Sequence, residues 1–438
     1  MTTIILSPED MKVDNVLEWF EVDKMRDNEK DKWGEVFTPV RLIDELLEHI
    51  PTKVWTDPSL RWLDPAAGTG HFGGLIFLKL MQTLSPSMPD SRQRQQHILK
   101  NMLFMVELNP TNVAVLRRRF GPSANVFEGD FLQSRTLWFF PDLHHPPFDV
   151  IVGNPPYQST NALQVYKGSQ GKRTLWNRFV QQCLDPLWLR RPSGYLAFIT
   201  PAVWRRPESA LYSLMTRENT LRFLHIYGEK DGRDIFGVQT RFDVYVIQTR
   251  KVVADGTTKS ILIDAENVEH RNLDIFKWPF LPNAAFDEIQ DLLVPKAPGG
   301  RGIPVLFHSN TFDARRLHPN KTSKYRYPIV HNQTRRGLGI LYADHMSAMS
   351  KAPKVVLNFN RSLYPYNDHR GEYGLSQLSF GLPLTASTNE KRKAEGEALI
   401  RGLTSPTFQH IVRSTKWTSF QTDYRMFRYF DAKKISAL

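Results

Sequence analysis

Arg61-Trp62-Leu63-Asp64-Pro65-Ala66-Ala67-Gly68-Thr69-Gly70-His71-Phe72 joins a short apolar strand to a glycine-rich turn and the opening of a helix. The helix is predicted over residues 72–84, because Phe72, Leu75, Ile76 and Leu80 recur at helical spacing. Glycines in such a turn let the backbone approach a ligand closely. Gly68 and Gly70, with Gly73 completing the longer spacing, also fit a dinucleotide loop, so this segment alone leaves that reading open. Outward from it, further strands are expected at residues 101–107, 124–127, 148–152, 194–199, 221–226 and 242–248. Helices are expected from Pro110 onward and over residues 174–189. The alternation predicts an α/β fold, a mostly parallel sheet with helices on both faces. Ligands of such sheets sit at the carboxyl ends of the strands.

The polar motifs fall at those ends. Glu107 closes the second strand, where an acid can bind ribose hydroxyls, or stand as a surface carboxylate. Gly129-Asp130-Phe131 follows the third strand; Asp130 can accept from an adenine amine and Phe131 can cover the ring, although a plain turn has the same composition. Asn154-Pro155-Pro156-Tyr157 follows the fourth. Two consecutive prolines fix φ and remove two backbone donors, and the residue before a proline is pushed to extended conformations. The tetrapeptide is therefore a stiff row of acceptors. Two fixed acceptors can bond both N–H groups of an exocyclic amine and draw its nitrogen toward a nucleophilic form, which is preorganised electrostatic stabilisation. Tyr157 can stack on a flat base. In isolation the tetrapeptide reads as a turn; its place directly after a buried strand favours a site.

After about residue 260 the periodicity weakens and Pro, Gly, Asn and Arg become frequent. Residues 1–260 are expected to form a catalytic domain, with residues 1–32 as an N-terminal extension, and residues 261–438 a second domain of mixed α+β type. Residues 295–304 (PKAPGGRGIP) resemble a linker or exposed loop. Residues 296–372 hold 13 Lys and Arg against 4 Asp and Glu, interleaved with Tyr325, Tyr327, Tyr342, Phe359, Tyr364 and Tyr366. Basic groups reach phosphates and aromatic rings stack on bases. The whole chain of 438 residues carries a net charge of +12, which points to a polyanionic partner. Cys183 is its one cysteine, which excludes an internal disulfide and a cysteine-based metal site. No metal is expected; His144-His145 reads as a loop pair. No apolar run approaches a membrane span and residues 1–10 lack the pattern of a signal peptide, so a cytoplasmic location is expected, in a prokaryotic cell or as a phage-encoded protein.

In order, these segments resemble the γ-type amino-methyltransferases that act on adenine in DNA, including those fused to a C-terminal target-recognition domain. Residues 34–39 (GEVFTP) are similar to the family's N-terminal cofactor segment, residues 64–72 to its glycine loop, and residues 107–109 and 129–131 to its ribose and adenine segments. Asn154 to Tyr157 matches the catalytic tetrapeptide. Residues 174–179 and 194–201 resemble the segments that follow it, and residues 416–430, less specifically, the end of a recognition domain. Ala67 departs from the cysteine frequent in the family's loop, a change conservative in volume.

The resemblance implies a Rossmann-like sheet binding S-adenosylmethionine. It implies Thr38 and Gly68 at the methionine end and Pro39, Ala66 and Gly70 elsewhere along the cofactor, with Asp64 organising the loop. Glu107 and Leu108 would lie at the ribose, and Asp130 and Phe131 at the cofactor adenine. Asn154 and Pro155, with Pro156, would hold the target amine, Tyr157 would stack on a flipped base, and Phe236 would pack on that base. It implies duplex DNA as partner, and either a solitary enzyme or the modification half of a two-protein restriction system; the oligomeric state is left open, with a monomer compatible. An RNA adenine methyltransferase and a protein glutamine methyltransferase share the acceptor logic and stand as alternatives.

Overall fold

The computed structural model describes residues 37–133, 148–158, 174–250, 260–266, 271–294, 302–307, 312, 314–346, 350–359, 363–418 and 422–438. The segments 34–36, 144–145, 159–173 and 295–301, on which parts of the sequence reading fall, lie outside the described residues. The chain divides into two compact units, residues 1–204 with 210–276, and residues 205–209 with 277–438.

The first unit is built on a nine-stranded sheet. Its strands are β1 (Trp62–Asp64), β2 (Leu103–Glu107), β3 (Asn125–Glu128), β4 (Val150–Gly153), β5 (Tyr195–Pro201), β6 (Thr220–Tyr227), β7 (Phe242–Gln248), β8 (Ser260–Ile263) and β9 (Arg271–Leu273), in the order β3-β2-β1-β4-β5-β7-β6-β8-β9. β1 lies between β2 and β4, with Leu63 opposite Phe104 on one side and Ile151 on the other. β1, β2 and β4 are buried at every position, so their sequences are continuous apolar runs, as buried parallel strands require. The expected strands all form. The sheet is parallel from β3 through β5, whereas β7 inserts antiparallel between β5 and β6. β8 and β9 lengthen the sheet past the expected domain boundary at residue 260, and the first unit runs to Phe276.

The helices that matter to the site are α1 (Val40–Glu48), α2 (His71–Thr83), α3 (Pro110–Phe120), α4 (Trp176–Cys183) and α5 (Glu229–Phe236). α4 ends six residues before the expected residue 189, where turns take over. α1 buries Leu42, Ile43, Leu46 and Leu47 in a core shared with α2 and with Trp62, Met105, Val150 and Val152. Phe104, on the alternate face of β2, meets Phe148 edge-on, and Phe131 stacks on Phe179 of α4. Side-chain alternation along the strands thus feeds two apolar layers.

The second unit holds two three-stranded sheets and several helices, the mixed α+β arrangement that was expected. One sheet orders β11 (Gly337–Ala343), β10 (Tyr327–Thr334) and β14 (Gly374–Leu375); the other orders β13 (Tyr366–Asp368), β12 (Lys354–Asn358) and β15 (Ser379–Pro383). Lys354, fully buried, donates to Asp368 at 2.8 Å and to the carbonyls of Ser350 and Ala352.

Candidate active site

The carboxyl ends of β1, β2, β3 and β4 share one edge of the sheet, as the pairing of Asp64 with Met105 and Glu107 with Glu128 shows. The loops leaving that edge line one cleft. It brings together Thr38, Ala66, Gly68, Glu107, Leu108, Asp130, Phe131 and Asn154 to Tyr157, residues drawn from five separated stretches of sequence. Pro39, Asp64, Gly70 and Phe236 do not line it.

The glycines of this segment answer two different constraints. Gly68 sits at φ +53°, and a Cβ there would meet nothing within 4 Å, so the requirement is conformational and the backbone is open on that side. Gly70, at φ +95°, has no room: a Cβ would lie 2.7 Å from Leu116 and Phe120 of α3. Gly73 packs on Met105 and Phe120 in the same way, which explains the third glycine of the spacing without any ligand. Asp64 is buried, and its Oδ1 accepts from the Ala66 N–H at 3.2 Å, so it organises the loop from beneath. Its Oδ2 accepts no hydrogen bond from a described residue. Burial, with the nearby Glu107 charge adding to it, pushes the Asp64 carboxyl up to about 8.

Glu107 ties the two halves of this floor together. Its Oε2 accepts from the Gly68 N–H at 2.8 Å and its Oε1 from the Asn109 N–H at 2.7 Å. Asn109 in turn caps α3 through the Thr111 N–H. The carboxylate is thereby fixed in the wall of the cleft. Asp130 accepts from the Leu132 N–H at 2.9 Å, closing the turn after β3. Phe131 is buried against Phe179 and Trp188, and its carbonyl accepts from Gln182.

The tetrapeptide leaves β4 through Gly153, whose Cβ position is closed by Asp64 Oδ1 at 3.0 Å. Asn154 Nδ2 donates to Thr38 Oγ1 at 3.0 Å, which orients the amide. Asn154 Oδ1 is buried and accepts no hydrogen bond from a described residue. Thr38 was expected at the cofactor; it also touches the proposed acceptor, a contact across 116 residues of sequence that no local pattern discloses. The Tyr157 carbonyl accepts from the Leu175 N–H at 3.1 Å, anchoring the far end of the tetrapeptide. The Tyr157 hydroxyl is buried without a described partner, and burial together with the Asp243 charge holds it neutral. Phe236, placed on the target base by the resemblance, is the last residue of α5, 8% exposed and packed edge-on to Phe242. Among the described residues no group of three or more His, Cys, Asp or Glu is arranged to hold a metal.

Residues 98–236, which span the acid at the end of β2, the tetrapeptide and α5, match the family described as Eco57I restriction-modification methylase. Over those residues the chain is similar to methylases of this restriction-modification type. A protein of Mycoplasma pneumoniae described as an uncharacterized adenine-specific methylase is 26% identical over 313 residues, covering 54% of this chain and 69% of its own length. Among solved structures, the Type IIL restriction-modification enzyme MmeI in complex with DNA aligns over 96% of this chain and 66% of its own, at 12% identity and a TM-score of 0.46. The type I methyltransferase subunit of Streptococcus thermophilus aligns over 60% of this chain and 56% of its own, at 15% identity and a TM-score of 0.41. The chain spans about half the length of the type I subunits it matches. No described helix is long and apolar enough to cross a membrane.

Proposed function

We propose that the protein is a site-specific DNA methyltransferase that moves a methyl group from S-adenosylmethionine to the exocyclic amine of adenine. The observation that carries this is Asn154 Oδ1: a buried acceptor on a proline-stiffened turn, oriented by Thr38 and accepting from no described residue. A buried acceptor in that condition costs free energy, and a ligand N–H is what relieves it.

The cleft fits the methyl donor. Gly68 leaves open backbone at the loop, Glu107 offers a fixed carboxylate for ribose hydroxyls, and Asp130 with Phe131 offers an acceptor and an apolar wall for a purine. S-adenosylmethionine, when bound, supplies an electrophilic methyl group on a positively charged sulfur. Asn154 Oδ1 and the Pro155 carbonyl accept the two N–H groups of the target amine and free its lone pair from the ring. The cleft contributes orientation and this acceptor pair, and no strong base is required because the alkylated nitrogen is itself acidic. Tyr157, neutral and half-buried, presents its ring to a base. A duplex adenine must leave the stack to reach it, at a cost of a few kcal/mol. The second unit, with its basic and aromatic composition, is assigned the duplex contacts. The location is taken to be intracellular.

The test incubates the full chain with labelled S-adenosylmethionine and duplex DNA, RNA or protein. Label in DNA at adenine N6, lost by at least about a hundredfold in Asn154→Ala with donor binding retained, is expected. Label in RNA alone, or on glutamine of a protein, replaces this reading with one of the two alternatives.

A further inference from the structure

In the second unit, β10 and β11 form an antiparallel hairpin whose last pair is Thr334 with Gly337. That pairing leaves Arg335-Arg336 as the two-residue tip. Gly337, at φ +126°, absorbs the turn where a side chain would be strained. Thr334, Arg335, Arg336 and Gly337 are all exposed.

The hairpin is held firmly up to the pair before its tip, Gln333 with Leu338. Gln333 is 1% exposed, its Nε2 donates to the Val356 carbonyl at 3.0 Å, and its own carbonyl accepts from Asn358 at 2.8 Å. β14 pairs only with Ile329 and Val330, so beyond them β10 is laddered to β11 alone. A bulge between Val330 and Asn332 twists the ribbon at that point. The result is a two-stranded ribbon braced on β12 almost to its turn, with two guanidinium groups projecting from that turn.

Their charge is unanswered locally. Residues 314–346 contain seven Lys and Arg and one acid, Asp344. Arg326 lies over the Tyr327 ring and bonds its hydroxyl, Lys324 lies over Tyr325, and Asp344 pairs with His345. The side chains of Arg335 and Arg336 make no ion pair, hydrogen bond or ring contact with any described residue. Two adjacent cations on an exposed turn repel one another, and the arrangement contributes nothing to packing. A polyanion relieves it.

The shape narrows the partner. A two-stranded β-ribbon fits the major groove of B-form DNA, whereas the deep, narrow major groove of an RNA duplex excludes it. Arginine is the side chain that bonds the two acceptors of a guanine edge at once. We infer that the β10–β11 hairpin enters the DNA major groove and that Arg335 and Arg336 read base edges there, guanine in particular. The inference rests on the proposed DNA substrate and assigns its sequence readout to two residues.

The test uses the full chain and its Arg335→Ala, Arg336→Ala and double variants, with Arg335→Lys/Arg336→Lys as the charge-preserving control. Methylation mapping in cells expressing the wild type defines the target sequence. Kd is then measured on target and scrambled duplexes across a salt series, and donor binding is measured separately. The double alanine variant should lose about tenfold to a hundredfold on the target, much less on scrambled DNA, and keep its donor affinity. The lysine pair should retain affinity for scrambled DNA and still lose the preference. Equal losses on both duplexes, or an unchanged preference, overturn the hairpin assignment. A wild-type chain that binds no duplex overturns the substrate reading itself, a result distinct from wild-type binding with unaffected variants.

Discussion

Asp64 in the first unit and Asp368 in the second are both buried aspartates at the end of a strand, yet their surroundings are opposite. Asp368 receives the buried Lys354 ammonium and the N–H groups of Glu372 and Tyr373, so every part of its charge is matched. Asp64 receives one N–H, faces the charge of Glu107, and keeps one oxygen without a described partner. A carboxylate that is fully answered fastens strands together. One that is left short belongs beside a site that a ligand completes, as do Asn154 Oδ1 and the Tyr157 hydroxyl along the same sheet edge.

The comparison can be broken in three places. The largest effect is expected at Asp368→Ala, which strands the Lys354 charge in the interior; loss of one partner of a buried pair costs about 3–5 kcal/mol. Chemical denaturation reads it, and a loss below about 1 kcal/mol would show that Asp368 is not the fastening it is taken to be. Asp64→Asn should act in the other direction and depend on pH. The folded carboxyl titrates at about 8 against an ordinary 3.8, so the stability it contributes is complete below 3.8 and is lost as pH rises from there through 8. The uncharged variant should therefore stand closest to the wild type near the acid end of that window. It should gain on the wild type toward its upper end, by an amount on the order of a few kcal/mol. A variant that instead loses ground with rising pH would mean Asp64 is satisfied in the fold. The smallest effect is expected at Thr38→Val, which removes the acceptor that orients the Asn154 amide. We expect kcat to fall about tenfold, with Thr38→Ser restoring it, because misplacing one preorganised group costs on the order of a hydrogen bond. A change confined to the KM for the methyl donor would assign Thr38 to the cofactor alone.

The sheet was legible because buried parallel strands are continuous apolar runs and the residues closing them are polar; residues 62–64, 103–107 and 150–153 announce themselves in this way. β8 was not, because Ser260–Ile263 is a short strand whose partner, β6, lies 38 residues upstream, and the Pro- and Gly-rich texture that follows drew the boundary too early. The cleft residues were legible as motifs at strand ends. The bond between Thr38 and Asn154 was hidden, since it spans 116 residues and depends on where α1 enters the core. Phe236, placed by the resemblance alone, is not among the residues that line the cleft, and its neighbour in space is Phe242. The third glycine, Gly73, fits a dinucleotide spacing and is explained by Met105 and Phe120.

The place of β1 between β2 and β4 has a consequence for how the protein is made. β2 follows it by about forty residues and β4 by almost ninety, and Arg61 is tied to Asp149 by the latter's carboxylate. A ribosome therefore releases the glycine loop well before the strand that carries Asn154 exists, and the slot beside β1 stays open until then. The two halves of the cleft can meet only once β4 has been made.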